Sequence, residues 1–249
     1  MTSVDSIVES VIDSMSLDLN VYAVQVIDGN YKLWATNTHY LGENSIITLL
    51  GVNYTVVSFV QNTYLIVSGA SAPIIGTYAL RKPQYIYGKY LQVQQEISKK
   101  HDKDILPMIW RFDLASRTSP TARDSVNESE GSSRFFFMAT NNPKKYTTES
   151  DYDNVLNPLN ALADTFLTAL ARSNRVNTIN GVTRINYSKF TNGGNSTTND
   201  AGQKVFNKNI SAVEVTVPLN IIKDFTCRVR EIPVVDGNGF DTGFDSGFK

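Results

Sequence analysis

Three consecutive phenylalanines, Phe135-Phe136-Phe137 within SRFFFMAT (133–140), restrict this chain more than any other feature. In a strand, successive side chains leave opposite faces, so Phe136 points one way while Phe135 and Phe137 point the other. Each ring left in water forfeits about 1.5–3 kcal/mol of burial. Both faces of the strand must therefore be covered, which requires a layered fold.

The surrounding sequence supplies partners for such a strand. Residues 105–114, 210–219 and 225–232 read as further strands of one mixed sheet. In the last of these, Cys227 falls on the apolar face as a small buried hydrophobe. Residues 151–172 carry Tyr152, Val155, Leu156, Leu159, Leu162, Ala163, Phe166 and Leu170, an apolar stripe at helical spacing. Pro158 interrupts it, either at the first helical position behind an Asn157 cap or as a kink. A second helix is expected over about 87–100, from Tyr87, Tyr90, Leu91, Gln94 and Ile97. Both helices are expected on one face of the sheet. The other face is left to the N-terminal helix or to a neighbouring copy of the protein.

The polar, turn-rich segment 115–132 joins two of these strands, predicting an extended hairpin whose tip projects from the body as a contact arm. Residues 174–202, crowded with Asn, Gly and Thr, offer at most a short hairpin.

Upstream, Val4, Ile7, Val8, Val11, Ile12 and Met15 give one apolar helical face, with Thr2 or Ser3 as its cap. From Val21 to Ala70 the period becomes that of strands: VYAVQVI, YKLWAT, SIITLLG, VNYTVVSFV and YLIVSGA, with turns at Asp28-Gly29-Asn30 and Gln61-Asn62-Thr63. These predict a small all-β barrel or sandwich whose aromatics are mostly core. The expected organisation is thus an N-terminal helix (1–18), a β-domain (19–82), an α+β core whose mixed sheet is flanked by helices (83–232), and a tail (233–249).

Only 19% of residues are charged and the formal net charge is −1, so no global field draws in nucleic acid or an anionic membrane. The N-terminus lacks a basic leader, and no run reaches the about 18 apolar residues of a membrane span. A chain that stays in the cytoplasm where it is made is expected. A single cysteine and two histidines in unrelated segments, His39 and His101, provide no metal-ligand spacing. There is no G-x-S-x-G, P-loop, H-E-x-x-H or strand-borne G-x-G-x-x-G motif. No enzyme, cofactor or metal is expected.

The tail, VVDGNGFDTGFDSGFK, repeats Gly-Phe every four residues, with Phe240, Phe244 and Phe248 and with Asp241 and Asp245 between them. Glycine-rich sequence cannot build a core alone. Its Asp and Asn spacing fails the EF-hand pattern. The alternatives are a frayed end or a sticker that folds on an adjacent subunit.

The order helix, strand, polar loop, strand, amphipathic helix, strand resembles the tail-terminator and tail-completion proteins of tailed bacteriophages. YIYGKYLQVQQEISKKHDKDILPMIWRFDL, SRFFFMATNNPKKYTTESDYDNVLNPLNALADTFL and GFDTGFDSGF are more similar still to neck and tail ring proteins of crAss-like phages. The resemblance covers roughly residues 83–172 and the tail. The β region 19–82 is a departure from a minimal terminator.

It implies a virion structural protein forming a homo-oligomeric ring, six- or twelve-fold, in the head–tail connector or capping the tail tube. Portal, connector or tail-tube proteins would be its neighbours, and DNA only a transiting cargo. Phe135, Phe137, Phe240, Phe244, Phe248, Asp241 and Asp245 would then serve the subunit interface, and Lys144, Lys145, Arg172 and Arg175 would weakly line the lumen. Two other readings stand beside this one. One is a carbohydrate- or receptor-binding module using Trp34, His39 and Tyr40; the other is a hydrolase whose site leaves no sequence trace.

Overall fold

The computed structural model describes residues 4–89, 93, 95–96, 107–112, 117–118, 128–140, 147–173, 176, 181–187 and 210–222. Within them the protein is α+β and mostly strand, built on two six-stranded sheets.

Helix α1 (Val4–Ser14) forms where the spacing places it, burying Ile7, Val8, Val11 and Ile12. The expected cap residues lie outside the described residues. Strands β1 (Asp18–Ile27), β2 (Asn30–Thr36), β3 (Ile46–Leu49), β4 (Val52–Val60), β5 (Tyr64–Ser68) and β6 (Gly76–Ala79) follow. They make an antiparallel, nearly closed, barrel-like sheet in the order β3-β4-β5-β2-β1-β6.

The five strands read from the sequence are β1 to β5. Their turns are set by backbone chemistry. Asp28 and Gly29 both have positive φ (48° and 77°), as do Leu50 and Gly51 (50° and 82°), the two-residue geometry that matches strand twist. Leu19, Leu33, Ala35, Val56, Leu65 and Val67 fill the interior and are fully buried.

The second sheet runs β11-β12-β10-β8-β7, from β7 (Gln84–Gly88), β8 (Met108–Phe112), β10 (Glu128–Thr140), β11 (Thr183–Tyr187) and β12 (Ile210–Ile222), with β9 (Arg117–Thr118) on β10. It is mixed, because β7 and β8 are parallel and the other pairs antiparallel. The expected strand 225–232 lies outside the described residues, as does Cys227.

Residue 87, expected to begin a helix, instead ends a strand. Ile86 is buried and Tyr87 exposed, a period of two that Gly88 terminates. Of the expected helix the described residues Val93, Gln95 and Glu96 are helical.

All three phenylalanines are fully buried. Phe135 and Phe137 lie 5.0 and 5.5 Å from Phe166 of α3 (Asn157–Arg172), while Phe136 stacks on Trp110 at 5.0 Å on the other face. Two expectations about the covering layers are corrected. Val93 belongs with Phe136 and Trp110, so this residue of the connection between parallel β7 and β8 covers the face opposite α3. Helix α1 lies on the α3 side, in the same apolar cluster as Phe135 and Phe137. That cluster is continuous from α1 through the inner face of the first sheet to α3.

Pro158 lies in the first turn of α3, one residue after the first helical position, because Asn157 is already helical and is not the cap. A short turn, α2 (Thr148–Asp151), passes into a π-helical turn (Tyr152–Leu156) that runs straight into α3. Pro158 has no N–H for the Asn154 carbonyl and its ring would crowd it; the wider turn relieves this. Gly42 packs against the same carbonyl: a Cβ there would sit 2.6 Å from the Asn154 oxygen.

Candidate assembly surfaces

Strands β10 and β12 pair along their full 13-residue lengths, but β8 pairs only with residues 134–138 of β10 and β11 only with residues 212–216 of β12. Past those partners, residues 128–133 and 217–222 continue as a two-stranded ribbon whose near part stays packed on the body: Ser133, Val217 and Leu219 are buried, and Val217 and Leu219 belong to the main apolar cluster. At about 3.4 Å per residue the ribbon runs on for roughly 20 Å. Arg117 and Thr118 pair with Gly131 and Glu130 along its side. The pairing of β9 with β10 is the part of the hairpin expected of segment 115–132 that the described residues show, with β12 as an additional strand; the expected projecting tip lies outside them.

Ion pairs hold the base of the sheet. Arg111 is buried and donates from Nε to Asp5 Oδ1 at 2.8 Å and to the Tyr85 hydroxyl at 3.2 Å; the Tyr85 hydroxyl donates to the same Asp5 oxygen at 2.8 Å. This ties α1 to β7 and β8. Burial pushes the Tyr85 hydroxyl well above the ordinary tyrosine range. Burial also works against the Arg111 charge, and Tyr85 and Asp5 overcome it and hold the guanidinium protonated.

On the Phe136 face, Arg134 donates to Glu214 Oε1 at 2.6 Å and lies over the Phe112 and Phe136 rings. The Tyr187 hydroxyl donates to Glu214 Oε2 at 2.7 Å. Register explains this placement, because Glu214 sits directly opposite Phe136. Both oxygens of this buried carboxylate are thus satisfied, which a structural role requires.

The outer face of the first sheet carries an apolar row that sequence reading assigned to the core. Cross-strand pairs set Val60, Tyr64, Trp34 and Ala23 side by side across β4, β5, β2 and β1. A bulge between Val21 and Ala23 turns Tyr22 out to join them, 56% exposed; a second, between Val56 and Ser58, turns out Val57. The Lys32 ammonium lies 4.0 Å from both the Trp34 and Tyr64 ring centres, and the two rings meet edge to face at 5.7 Å. The local signal was available: VYAVQV keeps strict alternation only if Tyr22 is skipped.

The residues expected at functional sites divide as follows. Phe135 and Phe137 are interior to the subunit and offer no surface to a neighbour. Arg172 is exposed in the last turn of α3. Lys144, Lys145, Arg175, Phe240, Phe244, Phe248, Asp241 and Asp245 lie outside the described residues.

Trp34, His39 and Tyr40 do not form one platform. The Tyr40 side chain is buried, its hydroxyl donates to the Arg81 carbonyl, and burial pushes its pKa up to about 12. His39 is partly buried with its Nε2 enclosed and unpartnered; burial lowers its pKa, opposed by Asp18. Among the described residues no three His, Cys, Asp or Glu side chains gather as metal ligands, and no helix is long and apolar enough to cross a membrane.

No protein-family model, curated protein or solved structure matches the chain.

Proposed function

We propose that this protein is a structural subunit of a bacteriophage virion that assembles into a closed ring in the head–tail connector or at the end of the tail tube. In this reading it performs no catalysis and DNA passes it only as cargo. The observation that carries the reading is the long β10–β12 ribbon on a mixed sheet with helices on it. With the polar segment that joins β9 to β10, its far end is the contact arm of this reading. A ring needs two different, complementary faces on each subunit, and in this reading that end of the ribbon supplies one of them. The edge strands β7 and β11 and the exposed pair Ile74 and Ile75 are further surface for neighbours. The Gly-Phe tail clasps the adjacent copy, and Arg172 with Lys144, Lys145 and Arg175 lies toward the lumen.

Native mass spectrometry of the full chain and of a form ending at residue 232 tests this. A ring of fixed stoichiometry, loosened or lost on truncation, is the expected result. A monomer in both forms, alone and with candidate portal or tail-tube partners, would sink it.

A second reading, a carbohydrate-binding module, is favoured by the row of exposed Tyr22 and half-buried Trp34 and Tyr64, since aromatic faces stack on sugars. A glycan array separates the two.

A further inference from the structure

We propose that the C-terminal repeat Gly239–Phe248 docks on the outer face of the first sheet, seating two consecutive phenylalanines along the Tyr22–Trp34–Tyr64–Val60 row, with the aspartate between them close enough to feel the Lys32 charge. This rests on reading the tail as a clasp and supplies the surface that receives it.

The face has the character of a receptor. An antiparallel sheet that buries one side normally turns a polar side to water. Here a stripe of side chains that includes three aromatic rings and Val60 crosses four strands. The adjoining row is Ser58, Ile66, Lys32 and Gln25, so neither row contains an acidic residue. Lys32 meets only the Trp34 and Tyr64 rings among the described residues. The complementary ligand therefore carries carboxylates next to large apolar groups. The tail has that composition, with Asp241 and Asp245 each following a phenylalanine.

Spacing supports the same match. Strands lie about 4.8 Å apart, so the row from β1 to β4 spans three intervals, about 14 Å. Four residues of extended chain cover about 13–14 Å. Phe240, Phe244 and Phe248 are four apart. Side chains four apart leave the same side of an extended chain, so consecutive rings reach opposite ends of the row. The glycine before each phenylalanine removes the Cβ that would hold the backbone off the rings. Each aspartate leaves the opposite side of the extended chain, so it attracts Lys32 across the backbone rather than by direct contact.

Trp34 reports the contact directly, because the other tryptophan, Trp110, is fully buried. The full-length protein is compared with the full-length variant Phe240→Ala/Phe244→Ala/Phe248→Ala by acrylamide quenching and emission wavelength, with light scattering on the same samples. The variant is expected to show a red shift and stronger quenching, both reversed by the peptide NGFDTGFDSGFK. Adding Lys32→Glu to the variant weakens peptide affinity about tenfold at low salt.

Unchanged Trp34 quenching in the variant, with no protection by peptide, overturns the proposal even if rings persist. Protection by oligosaccharides but not by the peptide overturns it in favour of a sugar site. Protection of Trp34 in a strict monomer sustains the docking and removes the ring.

Discussion

Replacing Phe136 by alanine tests whether the chain covers both faces of β10 by itself. The ring is fully buried, stacked on Trp110 at 5.0 Å and edge-on to Phe112 at 6.4 Å. Its removal loses the transfer free energy of the ring and leaves a cavity, together about 3–5 kcal/mol for a buried phenylalanine. The lost stack, worth about 0.5–1.5 kcal/mol, overlaps with that figure. For a chain of 249 residues, a loss near 4 kcal/mol lowers Tm by roughly 8–16 °C. Because Trp110, Met108 and Val93 of the same chain supply the cover, the difference between variant and wild type does not change with protein concentration. Urea and thermal melts over about a hundredfold range of concentration measure this. Phe137→Ala, against Phe166 on the opposite face, is the companion and costs a similar amount. A loss below about 1.5 kcal/mol for Phe136→Ala, or one that shrinks on dilution, would refute the reasoning, since cover from another copy is lost as association is lost.

Asp5→Ala strips a buried guanidinium of its carboxylate. Because Asp5 is partly exposed, the loss falls at the lower end of roughly 3–5 kcal/mol, while Arg111→Met, which removes the buried charge itself, costs less in the same urea titration. Gly42→Ala drives a Cβ into the Asn154 carbonyl and lowers Tm by several degrees; Gly29→Ala meets nothing and costs only its left-handed backbone, about 1–2 kcal/mol. Folding favours neutral His39, so its contribution is present above about pH 6.5 and is lost as pH falls through the lowered folded pKa. His39→Asn, which tolerates the φ of 48° at that position, flattens the acid limb of Tm against pH.

What the sequence disclosed was local in origin. Strands β1 to β5, the Asp28-Gly29 turn, both amphipathic helices and the opposed faces of Phe135 and Phe136 follow from side-chain period and turn chemistry. Four features did not. Tyr87 was read as the start of a helix because Tyr90, Leu91, Gln94 and Ile97 beyond Gly88 continue from it at a helical spacing. Asp5 and Arg111 are 106 residues apart, and neither carries a local trace of the other. The bulges at Tyr22 and Val57 shift the alternation by one residue, which moved exposed side chains into the expected core. The π turn before Pro158 interrupts a stripe, Tyr152, Val155, Leu156 and Leu159, whose spacing reads as continuous α-helix. Of the candidate surfaces, the pairing of β9 with β10 was legible from segment 115–132, whereas the aromatic row depends on register, which pairs residues far apart in the chain.

The bond between Asp5 and Arg111 also sets a timetable for synthesis. A ribosome adds about 5–20 residues per second, so the segment bearing Asp5 waits roughly 5–20 s before Arg111 exists. During that interval α1 has an apolar stripe, Ile7, Val8, Val11 and Ile12, and only the newly made β1 to β6 sheet against which to shelter it. The first helix can rest on the first sheet from the start, because the two share one apolar cluster in the finished fold, and β8 and then α3 complete its cover as they are translated.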